Sequence, residues 1–223
     1  MTVTKHNPNM FYPLISAAAI FWFILFSPWT AGLINFWGGM AVAAGVLTFS
    51  SVWAALREPQ PILGGTAWTR HEAFEFLPKH IWIGLVAAAG LYLVFFAGDR
   101  ISSLLFDFAK PQVAGIYGTK SQASPYVIGA LLLLWIGPAE EIFWRGYVQR
   151  KLSAQLGEWK GLVVATLIYA LIHIWSFNFM LIMAALICGL FWALMYRHYK
   201  SVWPGVISHA VWDVVIFVLL PIR

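Results

Sequence analysis

Along the chain, polar and charged positions are gathered into short clusters, and between them run seven segments in which almost every residue is apolar. They span about Phe11 to Trp29, Ala31 to Leu56, Ile81 to Gly98, Tyr126 to Gln149, Gly161 to Phe177, Phe179 to Tyr196 and Val202 to Ile222. A hydrocarbon layer of ~30 Å requires about 20 apolar residues as helix, since within lipid every backbone N–H and C=O must be satisfied inside the segment. No period-two alternation runs through them, and the segments are too long and too uniformly apolar for barrel strands. The pattern therefore predicts an all-α bundle of about seven transmembrane spans, with eight the alternative count. Two joints are very short, Trp29 to Thr30 and Ser176 to Asn178. The first segment is preceded by Lys5 and lacks a clear small-residue cleavage site, which predicts an uncleaved anchor.

Composition agrees with this reading. The chain has 223 residues, of which 61% are hydrophobic, 17% aromatic and 10% charged. A soluble domain carries about 25% charged residues. So few charges exclude a soluble globular enzyme and a disordered chain, and 14 scattered Lys and Arg residues are too few for a nucleic-acid partner. The single cysteine, Cys188, lies within an apolar segment, where it reads as a packing residue and excludes an intrachain disulfide.

Charge sets the expected orientation. With seven spans, Lys5, Arg57, Arg70, Lys79, Arg150, Lys151, Lys160, Arg197 and Lys200 share one side, and Arg100, Lys110, Lys120 and Arg223 the other. The positive-inside rule then places the N-terminus in the cytoplasm of a bacterial-type inner membrane. The stretch Asp99 to Pro125 falls outside, and its Ile101 to Phe108 part suggests a short amphipathic piece on the interface. The formal charge of +5 reads as topology and attraction to anionic lipid.

Six ionisable residues remain inside the apolar segments: Glu140, Glu141, Arg145, His173, His209 and Asp213. Each costs at least ~2.5 to 3.5 kcal/mol at a helix centre, so together they mark a functional site. At ~1.5 Å per residue, Glu140, His173 and His209 lie roughly 15, 18 and 12 Å from their basic-side helix ends. That predicts one shared polar cavity at or just cytoplasmic of the midplane. Glu141 and Arg145 are four apart and face each other as an ion pair, as can His209 and Asp213. Glu140 is turned ~100° from Glu141 and faces another helix. Pro138 cannot donate to the Leu134 carbonyl and loosens the turn before the glutamates.

A carboxylate and an imidazole flanking a water form a general-base pair, here Glu140 with His173. Water attacking an amide also needs a stabilised oxyanion, for which His209 is an N–H donor, and Asp213 a second donor if protonated or an orienting acceptor if ionised. Ser208 beside His209 points ~100° away from it, which argues against a serine nucleophile. Zinc held by Glu140, His173 and His209 is the rival chemistry. The helical HExxH signature is absent, and the nearest imitation, His71-Glu72 with Glu75, lies in a charged loop.

Three motifs stand in order on these helices. Glu140-Glu141-Ile-Phe-Trp-Arg145 fits EExxxR, Tyr169-Ala-Leu-Ile-His173 resembles FxxxH with Tyr for Phe, and His209-Ala-Val-Trp-Asp213 resembles HxxxN with Asp for Asn. In this arrangement the chain resembles the CPBP family of CAAX-protease and bacteriocin-processing membrane proteins, also called Abi, over roughly Tyr126 to Leu220. The resemblance implies a glutamic-type intramembrane protease needing no cofactor. Its catalytic residues would be Glu140, His173, His209 and Asp213, with Glu141 and Arg145 in support. The chain then divides into N-terminal helices without recognised motif, residues 1–125, and a catalytic helical core, 126–223. The expected partner is a membrane-associated peptide or protein tail within the lipid bilayer, presented from the cytoplasm, and no nucleic acid. The readings from other classes are a non-proteolytic scaffold or bacteriocin immunity protein, and a zinc-dependent membrane protease on the same residues.

Overall fold

The structure, a computed structural model, describes residues 10–57 and 70–222. Lys5, which enters the orientation count, lies outside the described residues. Among the described residues nine helices follow one another, besides a 3₁₀ turn at Thr119–Gln122: α1 Phe11–Phe26, α2 Phe36–Arg57, α3 Arg70–Phe74, α4 Lys79–Leu105, α5 Ala109–Gly118, α6 Pro125–Leu156, α7 Glu158–Ser176, α8 Phe179–Tyr199 and α9 Trp203–Leu219. No strand forms among the described residues.

All seven apolar segments are helical, but five of them, α2, α4, α6, α7 and α8, are long and apolar enough to cross a membrane. The other two are shorter. α1 has 16 residues, because the chain turns at Ser27, and α9 stops at Leu219 with Leu220 extended away from helical geometry. The expected short joint at Trp29 is a longer turn. Ala31 to Ile34 leave the helix, and the Thr30 hydroxyl donates to the Phe23 carbonyl to close the end of α1. The stretch expected to lie on the interface is divided, with Ile101 to Leu105 completing α4 before the chain turns into α5. The Ser176 to Asn178 hairpin is as tight as its sequence suggests. Phe177 adopts a left-handed conformation at φ 49° and the Asn178 side chain caps α8 by accepting from the Leu181 N–H.

Two opposite ends of the bundle are knitted by hydrogen bonds. At one end, Asn35 donates to the Gln122 carbonyl, Trp37 to the Thr119 carbonyl, Asn178 to the Gln112 carbonyl and Tyr117 to the Ile216 carbonyl. α5 and the turn after it thus tie the starts of α2 and α8 to the end of α9. At the other end, the Val202 N–H and the Trp203 indole donate to carbonyls of α3, and Glu158 pairs with Arg197 and Lys200. Small residues bring the central helices together. A Cβ on Gly137 would stand 2.9 Å from the Ala210 Cα, so α6 and α9 meet backbone to backbone.

Candidate active site

Glu140 and Glu141 lie in the middle of α6, where the helix changes pitch. Leu132–Ile136 and Ile142–Gln149 are wide π turns flanking the short α-helical stretch Gly137–Glu141. Pro138 supplies a reason: lacking an N–H and crowding the carbonyl four residues before it, it disfavours a regular α turn. The Gly137 N–H reaches back to the Leu132 carbonyl instead. The Ala139 carbonyl is reached by Thr48 of α2, whose hydroxyl donates to it at 2.8 Å.

The two glutamates face different neighbours, as their spacing suggests. Glu141 Oε1 accepts from Arg145 at 2.8 Å, the pair read from the EExxxR spacing, and also stands 2.9 Å from His209 Nδ1 on α9. Arg145 spends a second donor on the Gly189 carbonyl of α8 at 3.1 Å. This buried carboxylate therefore joins three helices. Its other oxygen lies where Gly205 has no side chain, 2.8 Å from where a Cβ would stand. Glu140 is turned toward α7 and accepts from the Tyr169 hydroxyl at 3.1 Å, so the Tyr that replaces Phe in the second motif bonds directly to the first.

His173 occupies the last turn of α7, Ile172–Ser176, which tightens to 3₁₀ geometry before the hairpin. Its Nδ1 lies 2.9 Å from the Tyr169 carbonyl, and the Trp22 indole of α1 donates to its Nε2 at 3.0 Å. Those two contacts define a neutral ring protonated on Nδ1. Glu140 and His173 are each held by an aromatic donor and are not hydrogen-bonded to each other. His209 stacks on Trp192 with 3.7 Å between ring centroids, and its Nε2 lies 3.4 Å from Asp213 Oδ2 one turn along α9. Glu140, Glu141, Arg145, His173 and His209 are all between 0 and 6% exposed. The Ser208 hydroxyl takes the Trp192 indole N–H and turns away from His209.

Glu140, Tyr169, His173, His209 and Asp213 line one cavity of about 800 Å³. Part of the remaining lining comes from the end of α4 (Phe95, Ser102), from α5 (Ile116, Tyr117) and from the start of α8 (Phe179, Met183), all at the end of the bundle carrying α5. His173 lies deep when measured from the Gly161 end, but α7 ends one turn beyond it, so this residue lies near the opposite end of the helix.

Some residues at the site were missed by sequence reasoning. Trp22 and Trp192 sit in apolar segments, where a tryptophan looks like any packing residue, and the Gly189 carbonyl and Thr48 have no sequence signal. The HExxH imitation stays apart, with Glu72 and Glu75 exposed. Among the described residues no group of three or more His, Cys, Asp or Glu is arranged to hold a metal ion. Both nitrogens of His173 are already engaged, and each nitrogen of His209 faces a carboxylate.

A helical integral membrane protein with a buried carboxylate and imidazole cluster is the class that this architecture defines. Residues 122–215 match the family model described as type II CAAX prenyl endopeptidase Rce1-like. The matched stretch contains all three motifs and agrees with their resemblance to the CPBP (Abi) family, a resemblance that implies a protease. No curated protein and no solved structure matches the chain.

Proposed function

We propose that the protein is a glutamic-type intramembrane endopeptidase that hydrolyses a peptide bond of a membrane-associated peptide or protein tail. The observation that carries this reading is the convergence of Glu140, His173, His209 and Asp213, from three helices, on one cavity wide enough for a peptide backbone. Glu140 takes a proton from water while the water oxygen adds to the peptide carbonyl carbon. For His173 to hold the same water, its Nε2 exchanges the Trp22 donor for the water. The oxyanion that forms is met by His209 and Asp213. Asp213 acts there as a protonated second donor, and the His209 ring, when doubly protonated, keeps Nδ1–H on the Glu141 carboxylate and offers Nε2–H to the cavity, since its 3.4 Å contact with Asp213 is long for a committed hydrogen bond. Collapse of the intermediate breaks the C–N bond, and Glu140 returns its proton to the leaving amine.

Glu141 and Arg145 act as support. Their pairing neutralises two charges that would be costly alone, and Arg145 anchors on α8, so the pair sets how α6, α8 and α9 sit around the cavity.

The test is Glu140→Gln, which keeps the side-chain volume and cannot take the proton. We expect it to abolish cleavage while the protein accumulates and melts as the parent does. Substrate peptides are found by comparing membrane-peptide mass spectra from cells with the gene, without it, and with this variant. The purified protein should keep its activity through exhaustive chelation, whereas activity lost on chelation and restored by zinc would select the metal mechanism. Near-normal cleavage by Glu140→Gln would remove Glu140 as the base.

A further inference from the structure

The two histidines of the site have opposite aromatic settings. His173 meets its neighbours edge-on or tilted, with its ring at 84° to Trp22, 72° to Tyr169 and 60° to Phe26. His209 instead lies nearly parallel to the Trp192 indole, at 17°, with 3.7 Å between ring centroids. Neutral aromatic rings avoid a full face-to-face overlap and prefer offset or edge-on contacts with centroids ~4.5–7 Å apart. A cation over an indole face is attracted by the negative charge of that face, and tryptophan is the strongest such partner. The setting of His209 therefore suits an imidazolium, and that of His173 a neutral ring.

The indole is fixed in its turn. Trp192 lies on α8 and is fully buried, and its Nε1–H donates at 3.1 Å to the hydroxyl of Ser208, the residue just before His209 on α9. Ser208 is fully buried as well. The bond crosses between helices, so the indole under His209 is oriented by the same stretch of α9 that carries the imidazole. The charged neighbours act on other parts of the ring. Glu141 of α6 lies 2.9 Å from Nδ1, and Asp213 of α9 lies 3.4 Å from Nε2. Arg145 stands farther off, with its guanidinium carbon 5.5 Å from the indole centroid and its donors on Glu141 and the Gly189 carbonyl. The hydrogen bond at Nδ1 fixes one point of the imidazole, and the stack fixes its plane and so the direction in which Nε2–H leaves it.

Resting on the reading of the site as a peptidase in which His209 meets the oxyanion, we propose that Trp192 and Ser208 are positioning residues for His209. The indole face carries the imidazole, and the Ser208 hydroxyl holds the indole in place. Ser208, a serine beside a histidine, thus acts on the reaction through Trp192 and His209 and is not the nucleophile.

The first readout needs no turnover. The full chain is prepared in detergent with isotope-labelled histidine, and among its six histidines the His209 signals are those that His209→Gln removes. Protons above an indole face are shielded by its ring current, so the carbon-bound ring protons of His209 should lie upfield of those of an exposed histidine. Trp192→Leu should abolish that shift, and Trp192→Phe and Ser208→Ala should reduce it. Ser208→Ala is the mildest of the three, and the melting temperature of each variant is compared with the parent's. A parent without the upfield shift, or one whose shift survives Trp192→Phe, overturns the stack. A shift unchanged in Ser208→Ala overturns the role of the hydroxyl.

Turnover is then measured on the peptides that the membrane-peptide spectra identify. We expect Ser208→Ala and Trp192→Phe each to lower kcat about three- to ten-fold with KM unchanged. The double variant should be no slower than Trp192→Phe alone, because without the indole N–H the Ser208 hydroxyl has nothing to hold. Effects that multiply overturn the coupling of Ser208 to Trp192. Complete loss of cleavage in Ser208→Ala, with the His209 shift intact, makes Ser208 a reacting group and overturns the proposal. If the parent cleaves nothing, the peptidase reading has failed, and the His209 shifts still decide whether Trp192 and Ser208 place the ring.

Discussion

Tyr169 and Trp22 hold the two groups that would share a water, and neither belongs to the chemistry itself. Trp22 occupies His173 Nε2, the nitrogen a water would use, so in the proposed reaction the indole has to give way to water. Trp22→Phe keeps an aromatic ring and removes the N–H, at a cost of about 0.5–1.5 kcal/mol for the lost hydrogen bond. We expect its turnover to rise several-fold with a changed pH-rate profile, because water gains the freed nitrogen. Lower turnover with an unchanged profile would mean that Trp22 serves packing alone. Asp213 is the second residue to test, since it stands where the family motif has Asn. Asp213→Asn should keep or raise activity and flatten its decline at high pH, because an amide donates at every pH. A pH-rate comparison in which the Asn variant is depressed evenly, with the same profile shape, would instead make Asp213 an ionised partner that orients His209.

Among the helices, α6 does most to place the site, through an irregularity and a close contact. The irregularity was legible: Gly137-Pro138 ahead of paired glutamates signals a disturbed turn, although nothing in the sequence says that two π segments will result. The close contact was not legible, since a glycine in an apolar segment does not reveal which backbone it touches. Gly137→Ala should destabilise the protein by about 1–3 kcal/mol, as expected for overpacking, because its new methyl would meet the Ala210 backbone at 2.9 Å. Gly90→Ala on α4 is the matched control, with nothing within 4 Å of its Cβ. It should stabilise by roughly 0.5–1 kcal/mol through the removal of a mid-helix glycine. Thermal melts of the two variants in the same detergent compare them, and equal melting temperatures would contradict the backbone contact between α6 and α9. Glu141 shows how far spacing reaches. Its partner within the helix was readable from the i, i+4 rule, but its second partner, His209, is 68 positions away and required the fold.

For the molecule as a whole, apolar run length located seven helices, five of them long and apolar enough to cross a membrane, and left their ends uncertain. The ends depend on local hydrogen bonds, such as Thr30 closing α1, and on the left-handed residue Phe177, neither of which leaves a trace in hydrophobicity. That is why a depth measured from one end of α7 misjudged how close His173 lies to the other. The six buried ionisable residues were readable because a bilayer makes each one expensive, and the structure joins four of them, Glu141, Arg145, His209 and Asp213, in one ion-paired set, while Tyr169 links the other two, Glu140 and His173, in a second. That α5 helps to line the cavity was not readable, since its sequence reads as an ordinary loop.

Gln112 accepts from the Asn178 side chain through its backbone carbonyl and from the Met180 N–H through its side chain, so α5 holds the first turn of α8 in the cavity wall. That wall of the cavity is thus held by a helix that contributes none of the proposed catalytic groups. In the proposed peptidase, substrate choice and bond cleavage would then fall to separate parts of the chain, and exchanges within residues 109–118 are expected to retune what is admitted while leaving the reacting groups as they are.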